Sequence, residues 1–360
     1  MKILFCNIAH MLHYEGNTER DILPTGAGSW VKENADAHEK WNFLNCDGYC
    51  YGFVQNPAQF RLERFEGVSK AVSEINNITI IWCAPQPSGK TAIVGWYENA
   101  TMYRDYQSAI YTKLTGLDRV YFTKAKAEDC YLLPVELRTF EIERASVAGK
   151  GHGFGQQNYW YADSAYAKEV LIPQVISFLN MHKHKRINRL DNFFSQPDNL
   201  APLTEKEAND ADFYYNNYIY DAYLPLGYRS YASTKSADDV YLIGTALREL
   251  HQYTRSIEWF EKSKQLEGEK WDIMFNLIYL YAQIGQHEKS IQIAKGLLTY
   301  QESQSDTIRD EIYSTIADNY MYQGNIKEAI NWLDRILSES TNAELIEHTK
   351  LVKEDWATFL

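Results

Sequence analysis

The sequence has little cysteine and no long apolar run. It contains 5 cysteines in 360 residues, an odd number, so reduced thiols in a cytoplasm are expected rather than a disulfide framework. No window approaches the ~18 consecutive apolar residues of a membrane-spanning helix, and the N-terminus has no signal-peptide pattern. We therefore expect a cytoplasmic protein without a membrane partner.

Positive charge is scarce in the second half of the chain. The formal net charge is −12, and residues 191–360 carry 15 Lys and Arg against 28 Asp and Glu, whereas residues 1–190 carry 21 against 20. Long-range attraction of nucleic acid to the second half is therefore not expected. Any phosphate binding by the nearly neutral first half has to come from local geometry. The length allows two domains, each with its own core.

Two apolar runs, residues 78–84 (ITIIWCA) and 91–97 (TAIVGWY), flank a short Pro/Ser/Gly segment. The segment APQPSGKT resembles a Walker A loop, whose backbone would hold nucleotide phosphates. That loop requires a glycine where Ala84 stands, and a helix after it. Alternating β-branched residues follow instead, so the pattern favours a β-hairpin in which Gly89, Lys90 and Thr91 belong to the turn.

Short strand-like segments separated by turn signals continue through residues 1–186. Residues 2–8 predict a buried strand, and residues 38–45 and 49–55 predict a hairpin around the Asp47-Gly48 turn. Few helices interrupt these segments. The pattern predicts a β-rich domain that forms a partly open barrel with flanking helices.

A repeated helix-pair pattern begins near residue 237. Ser256, Ser290 and Ala329 are separated by 34 and 39 residues, and small residues at such positions let paired helices approach each other. The three units, VYLIGTALRELHQYTRSIEWFEKS, MFNLIYLYAQIGQHEKSIQIAKGLL and YSTIADNYMYQGNIKEAINWLDRIL, resemble the tetratricopeptide repeat (TPR) family. This resemblance implies an α-solenoid that binds a protein or peptide partner on its concave face.

These patterns predict a multidomain α+β protein. A β-rich domain covers 1–186, a linker covers 187–203, and an all-α TPR domain covers 204–360. Within the helical domain, Thr204 and Glu207 form a predicted capping box. The repeats are expected at about 237–270, 271–304 and 310–343, followed by a capping helix at 342–360.

Tryptophans occur beside polar residues in the first domain. Trp82, Trp96 and Trp160 could stack on an unstacked base, because every base presents a π-face. Amides such as Asn99 could then read a base edge, with phosphate contact by an arginine. The alternative is that the rings fill the core. The candidate binding residues are Trp30, Glu33, Asn34, Trp82, Trp96, Tyr97, Asn99, Arg104, Gln156, Asn158 and Trp160.

Three strings in this domain, GSWVKEN, VGWYENATMYR and GFGQQNYWYA, resemble N-terminal modules of bacterial proteins that are fused to nucleases. The strand order resembles the PUA-like group, which includes the EVE and YTH domains. The resemblance implies an aromatic cage for a modified base in DNA or RNA, and a role in bacterial defence or restriction. The sequence departs from that pattern because it lacks a clear basic surface and no nuclease domain follows.

The main prediction is a non-enzymatic sensor or adaptor that needs no cofactor. It would bind a modified nucleobase in DNA through the first domain and a protein partner through the TPR domain. One alternative is a protein-interaction scaffold with no nucleic-acid role. Another is a metal-dependent nuclease that uses Asp21 and Glu33 with Lys32. A zinc site of Cys46 and Cys50 with His10 and His13 is disfavoured, because the CxxxC spacing across a tight turn is a loose match.

Overall fold

The computed structural model describes residues 1–16, 21, 38–56, 58–109, 119–198, 200–300 and 305–360. The described residues fall into two compact units, the first covering Met1–Ala109 with Val120–Phe193 and the second Phe194–Leu360. The candidate residues Trp30, Glu33 and Asn34, together with Lys32, lie outside the described ranges.

A mixed β-sheet organises the first unit. Its strands are β1 (Lys2–Asn7), β2 (Tyr49–Gly52), β3 (Glu74–Pro85), β4 (Thr91–Ala109), β5 (Arg119–Lys126), β6 (Cys130–Leu132) and β7 (Tyr159–Trp160). The order across the sheet is β2-β5-β4-β3-β1-β7, with β6 paired to β4. Strand β1 runs parallel to β3, whereas β4 and β7 run antiparallel to their partners β3 and β1.

The described sheet is open, so the predicted PUA-like barrel is corrected. β2 and β7 lie at the two ends of the strand order. The reason is visible in β3, where seven consecutive residues, 78–84, are buried. Such a continuous run means that both faces of the strand are covered. The sheet therefore separates two cores instead of closing around one.

Strands β3 and β4 form the predicted hairpin. Trp82 pairs with Gly95 and Ile81 with Trp96 across the two strands. In the turn, the Gln86 N–H donates to the Lys90 carbonyl oxygen at 2.7 Å, and Gly89 takes a φ of +83°. A strand follows the turn where a Walker A loop would open a helix, so the GKT residues are part of a β-turn and its exit.

The prediction of a strand at residues 38–45 is wrong, although the predicted turn after it is present. His38–Trp41 is a 3-10 helix. Asp47 and Gly48 both have positive φ, at +47° and +84°. They lie between Cys46 and Tyr49, which form a single antiparallel bridge. Positive φ at both central residues is typical of a type I′ turn. The local turn signal was sufficient there, but the apolar residues before it pack without forming a strand.

Side chains from alternate positions fill the two cores. One core contains Leu4, Ile80, Trp82, Tyr97 and Phe122. The other contains Phe5, Ile81, Trp96, Tyr131 and Trp160, together with Val175 and Leu179 of helix α2 (Ile172–His182). A short helix α1 (Ala145–Ala148) precedes β7. Side chains alternate between faces along a strand and recur on one face of a helix every three to four residues. One apolar face of α2 therefore packs on one face of the sheet.

Residues 187–193, which the sequence analysis assigns to a linker, lie in the first unit. The Ile187 N–H donates to the Leu132 carbonyl oxygen at 2.9 Å, and the Leu132 N–H donates to Asn188 Oδ1 at 3.1 Å. Asn45 Nδ2 donates to Asp191 Oδ1 at 2.9 Å. This segment is therefore attached to β6 by backbone and side-chain hydrogen bonds.

The second unit is a succession of helices that each pack on the next. They are α3 (Glu205–Asn216), α4 (Tyr220–Thr234), α5 (Ala237–Glu249), α6 (Tyr253–Glu267), α7 (Trp271–Gln283), α8 (His287–Leu297), α9 (Asp306–Tyr322), α10 (Ile326–Glu339) and α11 (Ala343–Ala357). Helix α3 begins with the predicted capping box of Thr204 and Glu207. Among the residues described, no helix is both long enough and apolar enough to cross a membrane.

One turn recurs between the helices of the pairs α5–α6, α7–α8 and α9–α10. A residue with left-handed backbone ends the first helix in each: His251, Gly285 and Gly324, with φ of +57°, +76° and +75°. The next N–H then donates to a carbonyl oxygen five residues earlier: Gln252 to Leu247 at 2.8 Å, Gln286 to Tyr281 at 2.9 Å and Asn325 to Tyr320 at 2.9 Å. This is the Schellman pattern. Helix pairs that are joined by this turn and that each pack on the next have a TPR-like arrangement.

Helices α3 and α4 use the same turn and form a fourth pair, which the repeat pattern of the sequence does not predict. Tyr218 has φ +61°, and the Ile219 N–H donates to the Tyr214 carbonyl oxygen at 2.8 Å. Counted from this turn, Tyr223 occupies the position of Ser256, and Gly227 the position of Phe260. Relative to the α5–α6 pair the large and small residues are exchanged, so the small residue of the repeat pattern is missing at its usual position.

The exchange leads to a prediction for Gly227→Ala. A Cβ at this glycine would lie 2.8 Å from the buried Tyr223 ring, so we expect the variant to lose about 1–3 kcal/mol of unfolding free energy. The matched control is Gly296→Ala in α8, where a Cβ would meet nothing within 4 Å; it should gain up to about 1 kcal/mol from helix propensity. Urea denaturation of both variants tests this, and equal stabilisation of both would contradict the exchanged packing.

Candidate functional site

Trp82 and Trp96 lie on opposite faces of the sheet, and both are fully buried. Trp82 pairs with Gly95 across the hairpin, one position away from Trp96, and side chains alternate between faces along a strand. The Trp82 ring contacts Tyr97 at a centroid distance of 5.3 Å, whereas Trp96 stacks on Tyr131 at 5.0 Å. Tyr97 is itself buried, and its hydroxyl donates to the Asn42 carbonyl oxygen.

Trp160 shares the core of Trp96 and contacts Phe5 at 5.4 Å. The predicted grouping of three rings in one cage is therefore corrected, because Trp82 belongs to the other core. The physical reason is the hairpin register, which offsets the two tryptophans by one residue. A ligand-binding role for individual residues of the set stays a prediction.

The polar candidates have other contacts. Arg104 Nη1 donates to Glu63 Oε2 at 2.9 Å and its Nε donates to the Val72 carbonyl oxygen at 2.9 Å. Asn99 has φ +49°, and its Nδ2 donates to Asp129 Oδ1 at 3.3 Å. The ion pair of Arg104 is partly buried, with the arginine side chain 14% exposed. The arginine predicted to contact phosphate is thus engaged with a carboxylate.

The two remaining candidates lie just before β7. Gln156 is exposed, whereas the carbonyl oxygen of the half-buried Asn158 accepts a hydrogen bond from the Asn7 N–H at 2.7 Å. The Asn158 backbone therefore extends the pairing of β1 with β7. Only Gln156 of this pair presents its side chain mainly to solvent.

The packing role of Trp82 can be tested by its effect on stability. We expect Trp82→Ala to cost about 3–5 kcal/mol of unfolding free energy, the range for removing a large buried ring. Gln156→Ala, which truncates an exposed side chain in the same unit, should change it by less than about 0.5 kcal/mol. Chemical denaturation monitored by circular dichroism measures both values. A Trp82→Ala variant as stable as wild type would show that this ring is not part of the core.

Buried polar groups surround the loop after β1. Asp21 Oδ1 and Oδ2 accept from the N–H groups of Leu12 and His13 at 2.6 and 2.7 Å. Arg138, 4% exposed, donates to the carbonyl oxygens of Met11 and Leu12, each at 2.6 Å. Asp21 is the acid of the nuclease alternative that lies within the described residues, and its carboxylate is hydrogen-bonded to the backbone of this loop. Within the described ranges, no group of three or more His, Cys, Asp or Glu residues could hold a metal ion.

Glu39 is a buried titratable group of the same region. It is 8% exposed, and its Oε1 accepts from the Ala9 N–H at 2.8 Å. Burial raises the pKa of Glu39 from 4.5 to about 7, although the hydrogen bond from Ala9 opposes the shift. The folded protein therefore keeps a proton on Glu39 at a pH where the unfolded chain has released it.

This difference predicts a pH-dependent effect of Glu39→Gln. Both states of wild type hold the proton below the unfolded pKa of 4.5, and above about 7 both have lost it. Stability of wild type relative to the variant should fall between these values, by about 3 kcal/mol in total. Urea denaturation of both proteins at pH 4.5 and pH 8 measures the change. A pH-independent difference would refute the raised pKa.

A groove of about 440 Å³ crosses helices α7, α9 and α11 in the second unit. Its principal lining residues are Phe275 and Tyr279 from α7, Asp310, Glu311 and Ser314 from α9, and Leu345 from α11. Phe275 and Tyr279 are four residues apart, so they lie on one face of α7. Asp310 and Ser314 have the same spacing on α9. These residues of α7 and α9 line the same groove.

The acidic wall of this groove contains a buried carboxylate. Asp310 is 4% exposed, and its Oδ2 accepts from Ser340 Oγ at 2.6 Å. Its Oδ1 is buried and has no hydrogen-bond partner among the described residues. Loss of surrounding water raises the pKa of the neighbouring Glu311. The groove therefore combines aromatic surface with incompletely compensated negative charge.

Sequence reasoning missed all of these groove residues. The signal was present, because Phe275 and Tyr279 fall in the second repeat and Asp310 and Glu311 begin the third. Helical periodicity identifies a polar face, but it does not say which polar face meets a neighbouring helix across a groove.

A larger concavity, of about 890 Å³, lies in the first unit at the start of β1. The guanidinium of Arg64 lies over the Tyr161 ring at 4.6 Å and pairs with Asp163. These two charges at its wall compensate each other. The groove of the helical unit is the stronger candidate, because its buried Asp310 oxygen is not compensated in this way.

Neither a family model nor a curated protein matches the sequence. Among solved structures, the chain is similar to MamA 41-end from Desulfovibrio magneticus RS-1, with 13% identity and a TM-score of 0.36 over 46% of this chain and 91% of that chain. It is also similar to YrrB, described as a TPR protein with an unusual peptide-binding site, with 14% identity and a TM-score of 0.36 over 52% of this chain and 87% of that chain. TM-scores this low do not establish a fold. The TPR-like arrangement is recognised from the recurrent turn and the helix pairing.

Proposed function

We propose that the chain is a protein-interaction scaffold whose helical unit binds a peptide segment of a partner protein. The observation that carries the proposal is the groove of Phe275, Tyr279, Asp310, Glu311 and Leu345 across three helices. Concave sites that combine aromatic surface with a few polar groups are typical of ligand binding. Stacked helix pairs also hold such a surface in a fixed shape without a ligand.

The sequence-based hypothesis for the first unit is nucleobase binding, in DNA and with a modified base. Its proposed stacking residues are divided between two cores, and Arg104 is paired with Glu63. These contacts do not support the hypothesis, so the proposed function assigns the first unit no nucleic-acid ligand. The scaffold interpretation depends on the second unit alone.

Peptide selection tests the proposal. A library of random 12-residue peptides is displayed and selected on the full chain, and the enriched peptides are titrated against wild type and Phe275→Ala. We expect the variant to bind at least about tenfold more weakly, because aromatic residues dominate the energy of such contacts. The matched control is Phe213→Ala, which truncates a 57% exposed phenylalanine on α3 and should leave the affinity unchanged.

Two results would overturn the proposal. One is a selection that enriches no peptide above background. The other is a set of peptides whose affinities Phe213→Ala and Phe275→Ala change equally, since binding would then lie outside the groove.

A further inference from the structure

We infer that the groove recognises a lysine or arginine side chain of its partner. The carboxylates of Asp310 and Glu311 receive the cation, and the rings of Phe275 and Tyr279 contact its aliphatic stem. This inference rests on the proposed function and adds the chemistry of the partner to it. It is carried by one buried carboxylate oxygen and by the charges around it.

The buried oxygen is Asp310 Oδ1. Buried polar atoms are nearly always hydrogen-bonded, and one that is not carries a desolvation cost. Ser340 Oγ donates to the other oxygen, Oδ2, which holds the carboxylate in place. The described residues supply no donor to Oδ1, although Asp310 lines the groove. Oδ1 is sealed from solvent, so a cation in the groove would act on this carboxylate through its charge and not by contact with Oδ1.

No neighbouring arginine supplies that donor. Arg309 adjoins Asp310 in sequence, but its Nη2 donates to Asp306 Oδ1 at 2.6 Å and to the Glu339 carbonyl oxygen at 3.3 Å. Glu311 adds a second carboxylate on the same helix, and it is an exposed residue that lines the groove. A bound cation would offset the charge of both groups.

The aromatic residues of the groove suit a long cationic side chain. Lysine and arginine place their methylene stems on apolar surface while the charged end reaches polar groups, and ring faces attract cations. The helical unit uses the same chemistry internally, where Lys262 lies over the Tyr231 and Trp259 rings at 4.1 and 4.9 Å. An acidic partner side chain would be repelled by Asp310 and Glu311.

The experiment replaces only the charge of the peptide. Each of the tightest peptides from the library selection is resynthesised with norleucine in place of lysine or arginine, and both forms are titrated against the full chain. We expect the norleucine forms to bind about tenfold more weakly or worse. In the double variant Asp310→Asn/Glu311→Gln this ratio should fall towards one. Asp212→Asn, a change of an exposed aspartate on α3, should preserve it.

The outcomes separate the two proposals. Peptides that need Phe275 but bind equally well with norleucine would overturn the cation inference and leave the proposed function standing. Peptides whose charge preference survives in the double variant would also overturn the inference, since the cation would then bind elsewhere. If Asp310→Asn prevents folding, as seen in the thermal melt, Glu311→Gln alone carries the test, and an undiminished ratio in it overturns the role of Glu311.

Discussion

The hydrogen bond that closes the turn between paired helices is the constraint on which the helical unit depends. It joins an N–H to the carbonyl oxygen five residues earlier and requires a left-handed residue between the helices, as at Gly285 and Gly324. Because one turn geometry recurs, the second helix follows the first in the same way in each pair. Helices α7 and α9, the first helices of two such pairs, line one groove together with α11.

Several elements could be predicted from local patterns. Alternating β-branched residues around Gly89 predicted the β3–β4 hairpin, and small residues at Ser256, Ser290 and Ala329 predicted three helix pairs. The fourth pair was missed because pattern recognition compares residue types position by position. In the fourth pair the Tyr223 ring packs over Gly227, at the two positions where the α5–α6 pair has Ser256 and Phe260.

The candidate site shows a different limit. Aromatic residues beside amides suggested a cage, but a shift of one residue in strand register decides which face a side chain occupies. The sequence of β3 and β4 does not state that register, so the sequence could not show that Trp82 and Trp96 face apart. For Asp310 the missing information is tertiary, because its significance lies in an oxygen left without a donor once α9 is packed.

The edges of the open sheet have a consequence for self-association. An open sheet offers unpaired backbone groups at both ends, where a strand of another molecule could add. Here the long strands β3 and β4 are interior, and the described strands with one partner are β2, with 4 residues, β6, with 3, and β7, with 2. Such short edges are poor templates for intermolecular pairing. As far as the structure describes the sheet, it can therefore remain open without offering a long edge on which fibrils could grow.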